Sequence, residues 1–492
     1  MLLSILLKEI FQVPAESDRE ILQLALDSRQ VGGKSLFLAV KGAQLDGRKF
    51  ISGAISQGAA AVLVDADSAN EPMRWQENVP IIPVYQLQKH AGELAARFYG
   101  YPAKTMRMIG VTGTSGKTSC THFIAQSLQM LQLPCGIIGT LGSGFYGALG
   151  AAGLTTPDAV TLQATLHQFA EQGARAIAME VSSHSIDQGR INGIEFDIGI
   201  FTNLSQDHLD YHGDMETYAA VKRRFLAELP TRHVIINADD VYGNKWINEL
   251  SPHKTVIAYA MQKPSSLSGR IPLIYADRIE LTLQGIRAQV ITPWGMGDLF
   301  LPLIGKFNLS NGLAVLAALC TYGISLPDAL HCLSRLNSVP GRMQTLGGRD
   351  RPLVVVDYAH KPDALEKVLQ ALRAHAEGKL YCVFGCGGER DRGKRPMMAR
   401  IAEQLADRVI VTNDNPRHED PQAIISEIIK GFSHPERVSI ELDRSKAIKN
   451  SIQWASVKDC VLIAGKGAER YQQIGDEKIP FDDVEKVREY LA

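Results

Sequence analysis

The chain has 492 residues, 45% hydrophobic and 21% charged, the balance of an ordinary soluble globular protein. Its 52 Lys and Arg residues against 53 Asp and Glu give a net charge of -1, so no overall basic excess points to nucleic acid or an anionic membrane, and any anion must be held by a local site. Seven scattered cysteines, odd in number and far apart, argue against a disulfide framework and for a reducing compartment, and Cys382 and Cys386 read as small core or loop residues.

At roughly 150 residues per domain, the length suggests about three domains. The N-terminal "MLLSILLKEIF" is apolar, but it has no basic leading segment, and Lys8 and Glu9 interrupt it before a membrane-spanning length. It is expected to pack as an amphipathic first helix, in a protein that is most simply cytoplasmic. Short strands follow at "KSLFLAV", "AAAVLVDAD" and "VPIIPV", with "DGRKFISGAISQGA" as a loop and helix. Residues 1–103 thus read as a small α/β domain.

The second domain, 104–337, opens with "MRMIGVTGTSGKTSCTHFIAQSLQML": an apolar strand, a Gly-rich loop and a helix with Ile124, Leu128 and Leu131 on one face. Such a loop, Gly113, Thr114, Ser115, Gly116, Lys117, Thr118 and Ser119, offers backbone N–H groups and a helix N-terminus to phosphate. Lys117 is placed to reach the outer phosphates and the Thr118 hydroxyl to help hold Mg²⁺. Val111 stands where the strict phosphate-loop pattern has glycine, so this is a variant loop. Later strands, "RAIAMEV", "DIGIFTNL" and "HVIINAD", alternate with helices and imply a parallel sheet, and 255–304 read as a β-rich flank. Glu180 ends one of these strands. The next leads to Asp207, His208, Asp210 and His212. The four-residue spacing of His208 and His212 is compatible with zinc, but the phosphate loop favours Mg²⁺ with Glu180 and His208 as contacts, and His212 reads as structural.

The third domain, 338–492, repeats strand-to-loop transitions at "PLVVVDYAH", "KLYCVFGCGG", "DRVIVTNDNP" and "DCVLIAGKGAE", a Rossmann-like doubly wound pattern. Its polar loops "GCGGERDRGKR", "NDNPR" and "GKGAE" fall at the carboxyl ends of strands, where such sheets bind ligands. In "VTNDNPRHED", Arg417 stands out beside Asp414, Asn415 and Pro416, whereas His418, Glu419 and Asp420 read as a solvated approach to a helix.

An ordered series of motifs spans nearly the whole chain: "DSRQV", "DGRKF", "GVTGTSGKTS", "TTPD", "MEVSSHSIDQGRI", "FTNLSQDHLDYHGDMETYAAVKRRF", "GKFNLSN", "PGRMQ", "VDYAHKPDAL", "GCGGERDRGKRPMM", "DNPR" and "AGKGAER". In this the chain resembles the Mur ligase family, ATP-dependent amino-acid ligases of peptidoglycan precursor synthesis. The resemblance implies three α/β domains that take, in order, a UDP-sugar, ATP and the incoming amino acid. It implies a cytoplasmic enzyme, expected to be a monomer, that uses ATP and Mg²⁺ to activate a carboxylate as an acyl phosphate, which an amine then attacks. Carried over by position, Leu26, Ser28, Ala43, Gln44 and Leu45 resemble contacts to the UDP-sugar. Leu154, Thr155, Thr156, Ser182, Gln188 and Arg190 resemble contacts to its muramoyl dipeptide. Asn308 resembles an adenine contact, Arg342 and Asp357 further ATP contacts, and His360 a nearby active-site histidine. Lys117, His208 and Lys222 are the implied catalytic groups. Lys222 in "AAVKRRF" reads by itself as part of a solvated basic helix face. The resemblance implies instead that it is carbamylated (N6-carboxylysine) and approaches Mg²⁺ with Thr118, Glu180 and His208. Arg223 and Arg224 beside it are expected to disfavour the ammonium and expose the neutral amine to CO₂. Leu154, Ser115, Ser119 and Ala43 depart from common residues of the family.

Relatives in this family add either meso-diaminopimelate or L-lysine, which differ by one distal carboxylate. A guanidinium discriminates them by pairing bidentately with that carboxylate and being left unpaired by lysine. Arg417 is the candidate, with Asp414, Asn415, Pro416 and Arg390 around the amino acid and Gly465 and Glu469 at its distal end. The expected reaction is therefore addition of meso-diaminopimelate to UDP-N-acetylmuramoyl-L-alanyl-D-glutamate, with no nucleic acid or membrane partner. Two rivals are a folylpolyglutamate-synthase-like ligase, disfavoured by "DNPR", "DSR" and "DGR", and a P-loop regulatory ATPase, which leaves "GCGGER", "DNPR" and "GKGAE" unexplained.

Overall fold

The computed structural model describes all residues except 43, 44, 69, 70, 266, 268, 283 and 349, so Ala43 and Gln44 lie outside the described residues. The chain divides into two compact units, one comprising residues 1–259 and 266–272, the other 260–265 and 273–492.

The first unit holds two sheets. The N-terminal sheet runs Gln23–Ala25, Ser35–Ala39, Ala59–Ala66, Val79–Tyr85, Arg74–Gln76, parallel except for its last pair. Both faces are covered, so its strands read as near-continuous apolar runs. Leu36, Leu38, Ala61 and Leu63 pack with the helix Leu87–Phe98 on one face; Phe37, Ala39, Val62 and Val64 pack with Ile51–Ser56 on the other. The first helix is shorter than its apolar sequence suggests. It spans only Leu3–Leu6 and buries Leu3 and Leu6; residues 7–10 are turn, and Glu9 at φ +71° cannot continue an α-helix, while Asp18 accepts from the Ser4 N–H at 2.9 Å.

The second sheet of this unit is parallel through Thr255–Ala260, Thr231–Asn237, Phe196–Phe201, Arg107–Thr112, Ala176–Glu180 and Cys135–Gly139, with two short antiparallel strands beyond. Arg107–Thr112 is flanked by Phe196–Phe201 and Ala176–Glu180. The phosphate loop, Glu180 and Thr202–Asn203 therefore emerge side by side at one edge.

The other unit begins with the antiparallel strands Leu273–Thr282, Gly285–Thr292 and Gly295–Leu301 and the buried helix Lys306–Tyr322. Its main sheet runs Gln344–Gly347, Leu353–Asp357, Cys460–Ala464, Leu380–Phe384, Arg408–Val411, Ser439–Ile440, parallel after the first pair. Alternate residues again face opposite cores: Val355, Cys382, Phe384, Val411 and Leu462 on one side, Val354, Val356, Val383, Ile410 and Ile463 on the other. His375 ties three parts of this unit together, accepting from Gly305 N–H through Nε2 at 3.0 Å and donating through Nδ1 to Thr282 O at 2.6 Å. All seven cysteines are free and buried. Among the described residues no helix is long and apolar enough to cross a membrane.

Candidate active site

In the first unit, the phosphate loop is clamped by the end of the neighbouring strand. Thr114 N–H donates to Asn203 O at 2.8 Å and Ser115 N–H to Asn203 Oδ1 at 3.0 Å, while Thr202 Oγ1 donates to Ser115 O at 2.6 Å. Gly113 has φ +145°, and a Cβ there would lie 2.0 Å from Thr202 Oγ1, so this tight approach requires glycine. Gly116 starts the 14-residue helix Lys117–Met130. Lys117 Nζ folds back onto Gly113 O and Thr114 O, each at 2.9 Å, Thr118 is buried, and Ser119 lies partly exposed on the first turn.

Glu180 is 1% exposed. Its carboxylate accepts from Thr140 N–H at 2.8 Å and Thr140 Oγ1 at 3.2 Å, and among the described residues it forms no ion pair. Thr140 Oγ1 lies 3.1 Å from Thr155 Oγ1, and Thr156 Oγ1 donates to Glu180 O at 2.8 Å. Ser182 caps the short helix Ser183–Asp187 and bonds Thr156. Arg190 donates to Thr156 O at 2.9 Å and twice to Gln188 Oε1. Thr155, Thr156, Ser182, Gln188 and Arg190 thus form one network around Glu180. Arg190 is half-buried, burial lowers its pKa, and among the described residues no carboxylate pairs with it, which suits it to an anionic ligand group. Leu154 is exposed at the edge of this network, and Leu45 is exposed in the N-terminal region. Leu26 is half-buried against the N-terminal core, and Ser28 opens a 3₁₀ turn capped by Asp27.

Lys222 is 1% exposed and donates to Gly113 O at 2.9 Å. Burial, then the Lys117 charge, pushes its pKa well below the ordinary lysine value. His208, at φ +54°, is half exposed with Nε2 3.4 Å from Asp207. His212 is buried, bonds Ser183 Oγ at 2.9 Å and packs on Tyr218. Among the described residues no group of three His, Cys, Asp or Glu side chains gathers where it could hold a metal ion.

In the other unit, Asp357 ends its strand, accepts from Met343 N–H at 2.7 Å and has its pKa raised by burial. Arg342 stacks over Tyr358 at 5.2 Å. His360 pairs through Nδ1 with Tyr358 O at 2.8 Å. Asn308 is buried, with its amide donating to Ile304 O at 2.8 Å and accepting from Asn311 at 3.2 Å. These bonds use one amide N–H and one carbonyl lone pair, which leaves a second of each for an adenine contact.

The amino-acid loops converge at the carboxyl edge of the main sheet. Arg417 Nη1 donates to Gly388 O at 2.7 Å, and among the described residues no carboxylate pairs with this guanidinium. Its backbone, at φ +53°, is gripped by the hairpin formed by Tyr471–Ile474 and Glu477–Pro480: Arg417 N–H donates to Gln473 O at 3.1 Å and Gly475 N–H to Arg417 O at 2.8 Å. Asp414 Oδ1 accepts from Asn415 N–H at 2.7 Å. Asn415 Nδ2 donates to Glu469 Oε2 at 3.0 Å, and its Oδ1 accepts from Lys466 Nζ and Gln473 N–H, both at 2.9 Å. Lys466, fully buried, also pairs with Glu469 at 3.1 Å. Gly465 N–H bonds Asp357 O. Arg390 is exposed.

Three family models match in order: "Mur ligase family, catalytic domain" over residues 20–99, "Mur ligase middle domain" over 111–319 and "Mur ligase, glutamate ligase domain" over 341–467. The chain belongs to the Mur ligase family. UDP-N-acetylmuramoyl-L-alanyl-D-glutamate--2,6-diaminopimelate ligases of Pseudomonas aeruginosa and Coxiella burnetii are 50% and 49% identical to this Mur ligase, covering 97% and 96% of it and 96% of each relative. A solved structure of an enzyme with that name is 35% identical, with TM-score 0.73 over 96% of this chain and 95% of its own. A folylpolyglutamate synthase of Mycobacterium tuberculosis, 19% identical, shares the fold at TM-score 0.59 over 76% of this chain and 92% of its own.

Two readings of the Mur ligase sequence need correction. Lys222 does not lie on a solvated face, and its arginine neighbours are not what depresses its pKa. Arg223 pairs with Glu249 at 3.0 Å and Arg224 faces Asp187 and Glu228, while Lys222 turns inward to the phosphate loop. Nor is the segment after Arg417 simply solvated. His418 is exposed beside Asp476 and Asp420 caps the helix Pro421–Ile429, but Glu419 is mostly buried and paired with Arg395 at 2.9 Å. Lys466, Arg395 and the hairpin at 471–480 were not singled out from the sequence. Lys466 stands within "GKGAE", Arg395 ends the basic run "RDRGKR", and the hairpin carries no motif.

Proposed function

We propose that this Mur ligase joins meso-2,6-diaminopimelate to UDP-N-acetylmuramoyl-L-alanyl-D-glutamate in an ATP- and Mg²⁺-dependent reaction, as a cytoplasmic monomer. The observation that carries the choice of amino acid is Arg417: a guanidinium held by one carbonyl, with no carboxylate of its own, at the edge where the sheet's polar loops converge. The full-length identity to relatives bearing that ligase's name supports the same reading.

The residues fit the nucleotide and the metal. Glu180 is a buried carboxylate with no cationic partner among the described residues, and Thr118 offers a hydroxyl at the helix N-terminus beside the clamped loop. When bound, ATP supplies the phosphoryl group that turns the substrate carboxylate into an acyl phosphate, and Mg²⁺ offsets the charge that accumulates. The loop N–H groups of Gly113–Ser119 and the Lys117 ammonium hold phosphate oxygens. Glu180, His208 and Thr118 hold the metal, joined by Lys222 as its carbamate. Arg190 and the Thr155–Thr156–Ser182 network hold the muramoyl dipeptide so that its reacting carboxylate is fixed in place. Asn308, Arg342 and Asp357 are the candidates for the nucleotide, and His360 a further candidate active-site residue. In the amino-acid loops, Arg417 pairs with the distal carboxylate of diaminopimelate, Glu469 and Asp414 face its distal ammonium, and Arg390, Asn415, Pro416 and Gly465 complete the wall. Leu26, Ser28, Ala43, Gln44 and Leu45 attend the UDP-sugar. Functionally the chain divides at about 103 and 337 into domains for the sugar, the nucleotide and the amino acid.

Phosphate release in the presence of UDP-muramoyl dipeptide tests this reading. The rate is expected to depend on meso-diaminopimelate and to be lower with lysine by orders of magnitude in kcat/KM. Equal use of lysine refutes the amino acid. ATP turnover without any amine refutes the ligase reading in favour of a regulatory ATPase, and dipeptide-independent turnover favours a folylpolyglutamate-synthase-like substrate.

A further inference from the structure

The carbonyl that holds Arg417 belongs to a turn, Gly387–Glu389, which is itself held from two sides by the segment that carries Arg417. On one side, Gly388 N–H donates to Asn415 O at 2.9 Å. A Cβ on Gly388 would fall 1.9 Å from Pro416 O, so the two backbones meet at a distance only glycine permits. On the other side, Glu419 Oε1 accepts from Glu389 N–H. Glu389 has φ +52°, a conformation costly to a residue with a side chain, and that hydrogen bond helps to keep it there.

Glu419 is in turn fixed by Arg395, whose side chain is fully buried. Arg395 Nη1 lies 2.9 Å from Glu419 and 2.7 Å from Glu427, and Nη2 donates to Gly387 O at 3.2 Å and to Glu419 Oε1 at 3.1 Å. One buried cation therefore grips the start of the turn directly and its end through Glu419. The carboxylate is firmly ionised, its pKa pulled down to about 2 by the hydrogen bond from Arg395 and then by the Glu389 N–H.

We propose that Glu419, anchored on Arg395, is a positioning residue for amino-acid selectivity: it fixes the Gly387–Glu389 turn so that the Gly388 carbonyl aims the Arg417 guanidinium at the distal carboxylate. The inference rests on the reading of Arg417 as the reader of that carboxylate. An arginine stem has several rotatable bonds. Holding one terminal nitrogen on a fixed carbonyl removes that freedom before the ligand arrives and leaves the rest of the planar fork for it. Lysine has no distal carboxylate, so losing the aim of Arg417 takes nothing from it.

Glu419→Ala separates positioning from folding. Arg395 keeps Glu427, so the variant leaves no uncompensated buried charge. Four kinetic readouts are measured on each protein: kcat/KM for meso-diaminopimelate, kcat/KM for lysine, and KM for ATP and for UDP-muramoyl dipeptide. We expect Glu419→Ala to lose about 100-fold in kcat/KM for diaminopimelate, with lysine use and the other two KM values within about twofold. Glu419→Gln retains an acceptor for the Glu389 N–H and is expected to stay within about tenfold of the unmodified enzyme. In an Arg417→Ala background, adding Glu419→Ala should cost less than about twofold more, because the two act through one contact. A loss shared equally by diaminopimelate and lysine, or additive effects in the double variant, overturns the proposal. An unmodified enzyme that does not prefer diaminopimelate overturns the reading of Arg417 itself, a result distinct from the failure of Glu419 alone.

Discussion

At the scale of single residues, the most consequential side chain is Lys222. A fully buried ammonium beside Lys117 is unfavourable, because burial and a like charge both favour the neutral amine. Neutral amines attack CO₂: an N–C bond forms and a proton is released, which turns a would-be cation into an anion fit to approach Mg²⁺. Lys222→Ala is therefore expected to lose activity by at least about 100-fold, as for removal of a preorganised electrostatic group. Millimolar acetate or propionate should restore part of that loss while leaving the unmodified enzyme unchanged. Phosphate-release rates with and without the acid decide it, and full activity of Lys222→Ala in plain buffer sinks the carbamate. The basic run "KRR" hid this burial, since adjacent helix positions diverge: Arg223 and Arg224 face solvent and their carboxylates, while Lys222 faces the loop.

Individual elements were legible where burial imposes a continuous apolar run. The strands "SLFLA", "LVVVD", "LYCVF" and "CVLIA" are buried on both faces and read directly as apolar runs. The candidate site was legible where a motif follows such a strand, hence the phosphate loop, Glu180 and Arg417. What stayed hidden was the support. The hairpin "YQQIGDEKIP" is mostly exposed and has no clean alternation, yet its backbone fixes Arg417. Arg444 was equally silent. It is fully buried on the helix Arg444–Trp454 and makes a bidentate pair with Asp483, both bonds 2.7 Å, while donating to Ala464 O at 3.0 Å and Asn413 O at 3.3 Å. Those carbonyls precede the "GKGAE" and "DNPR" loops, so a pair of helices far from any motif braces both. Arg444→Met leaves the Asp483 carboxylate buried and unpaired and should lower stability by about 3–5 kcal/mol. The double change Arg444→Met with Asp483→Leu should recover more than half of that. Urea unfolding midpoints measure both, and a double variant no more stable than the single one contradicts this account of the pair.

For the whole molecule, the near-zero net charge gives no strong self-repulsion at neutral pH, and the first loss of stability on acidification is expected from the buried histidines, which titrate before the carboxylates. Burial pushes His122 down to about 4 and also lowers His184, His212, His360 and His375. An unfolded histidine takes up a proton near pH 6.5, whereas these folded ones do so only at lower pH. Between those two values the unfolded chain binds protons that the folded chain refuses, so stability is complete above about pH 6.5 and falls as the pH drops below it. For His122 alone the span down to about 4 corresponds to ~3 kcal/mol. His375 adds to the slope in the other unit, since protonating Nε2 removes the acceptor for Gly305 N–H. Glu419 acts in a separate, more acidic window: its folded pKa lies below the unfolded value, so its contribution is intact above about pH 4.5 and is lost toward pH 2. His122 is the cleaner test, because its Nδ1 is buried with no partner among the described residues and an apolar replacement gives up no bond there. Thermal unfolding of His122→Leu should show a higher Tm than the unmodified protein at pH 5 and a difference from it at pH 8 that is much smaller. Parallel Tm-against-pH curves for the two proteins through that range would mean that His122 takes up its proton equally in the folded and unfolded states, and that the acid sensitivity has another source.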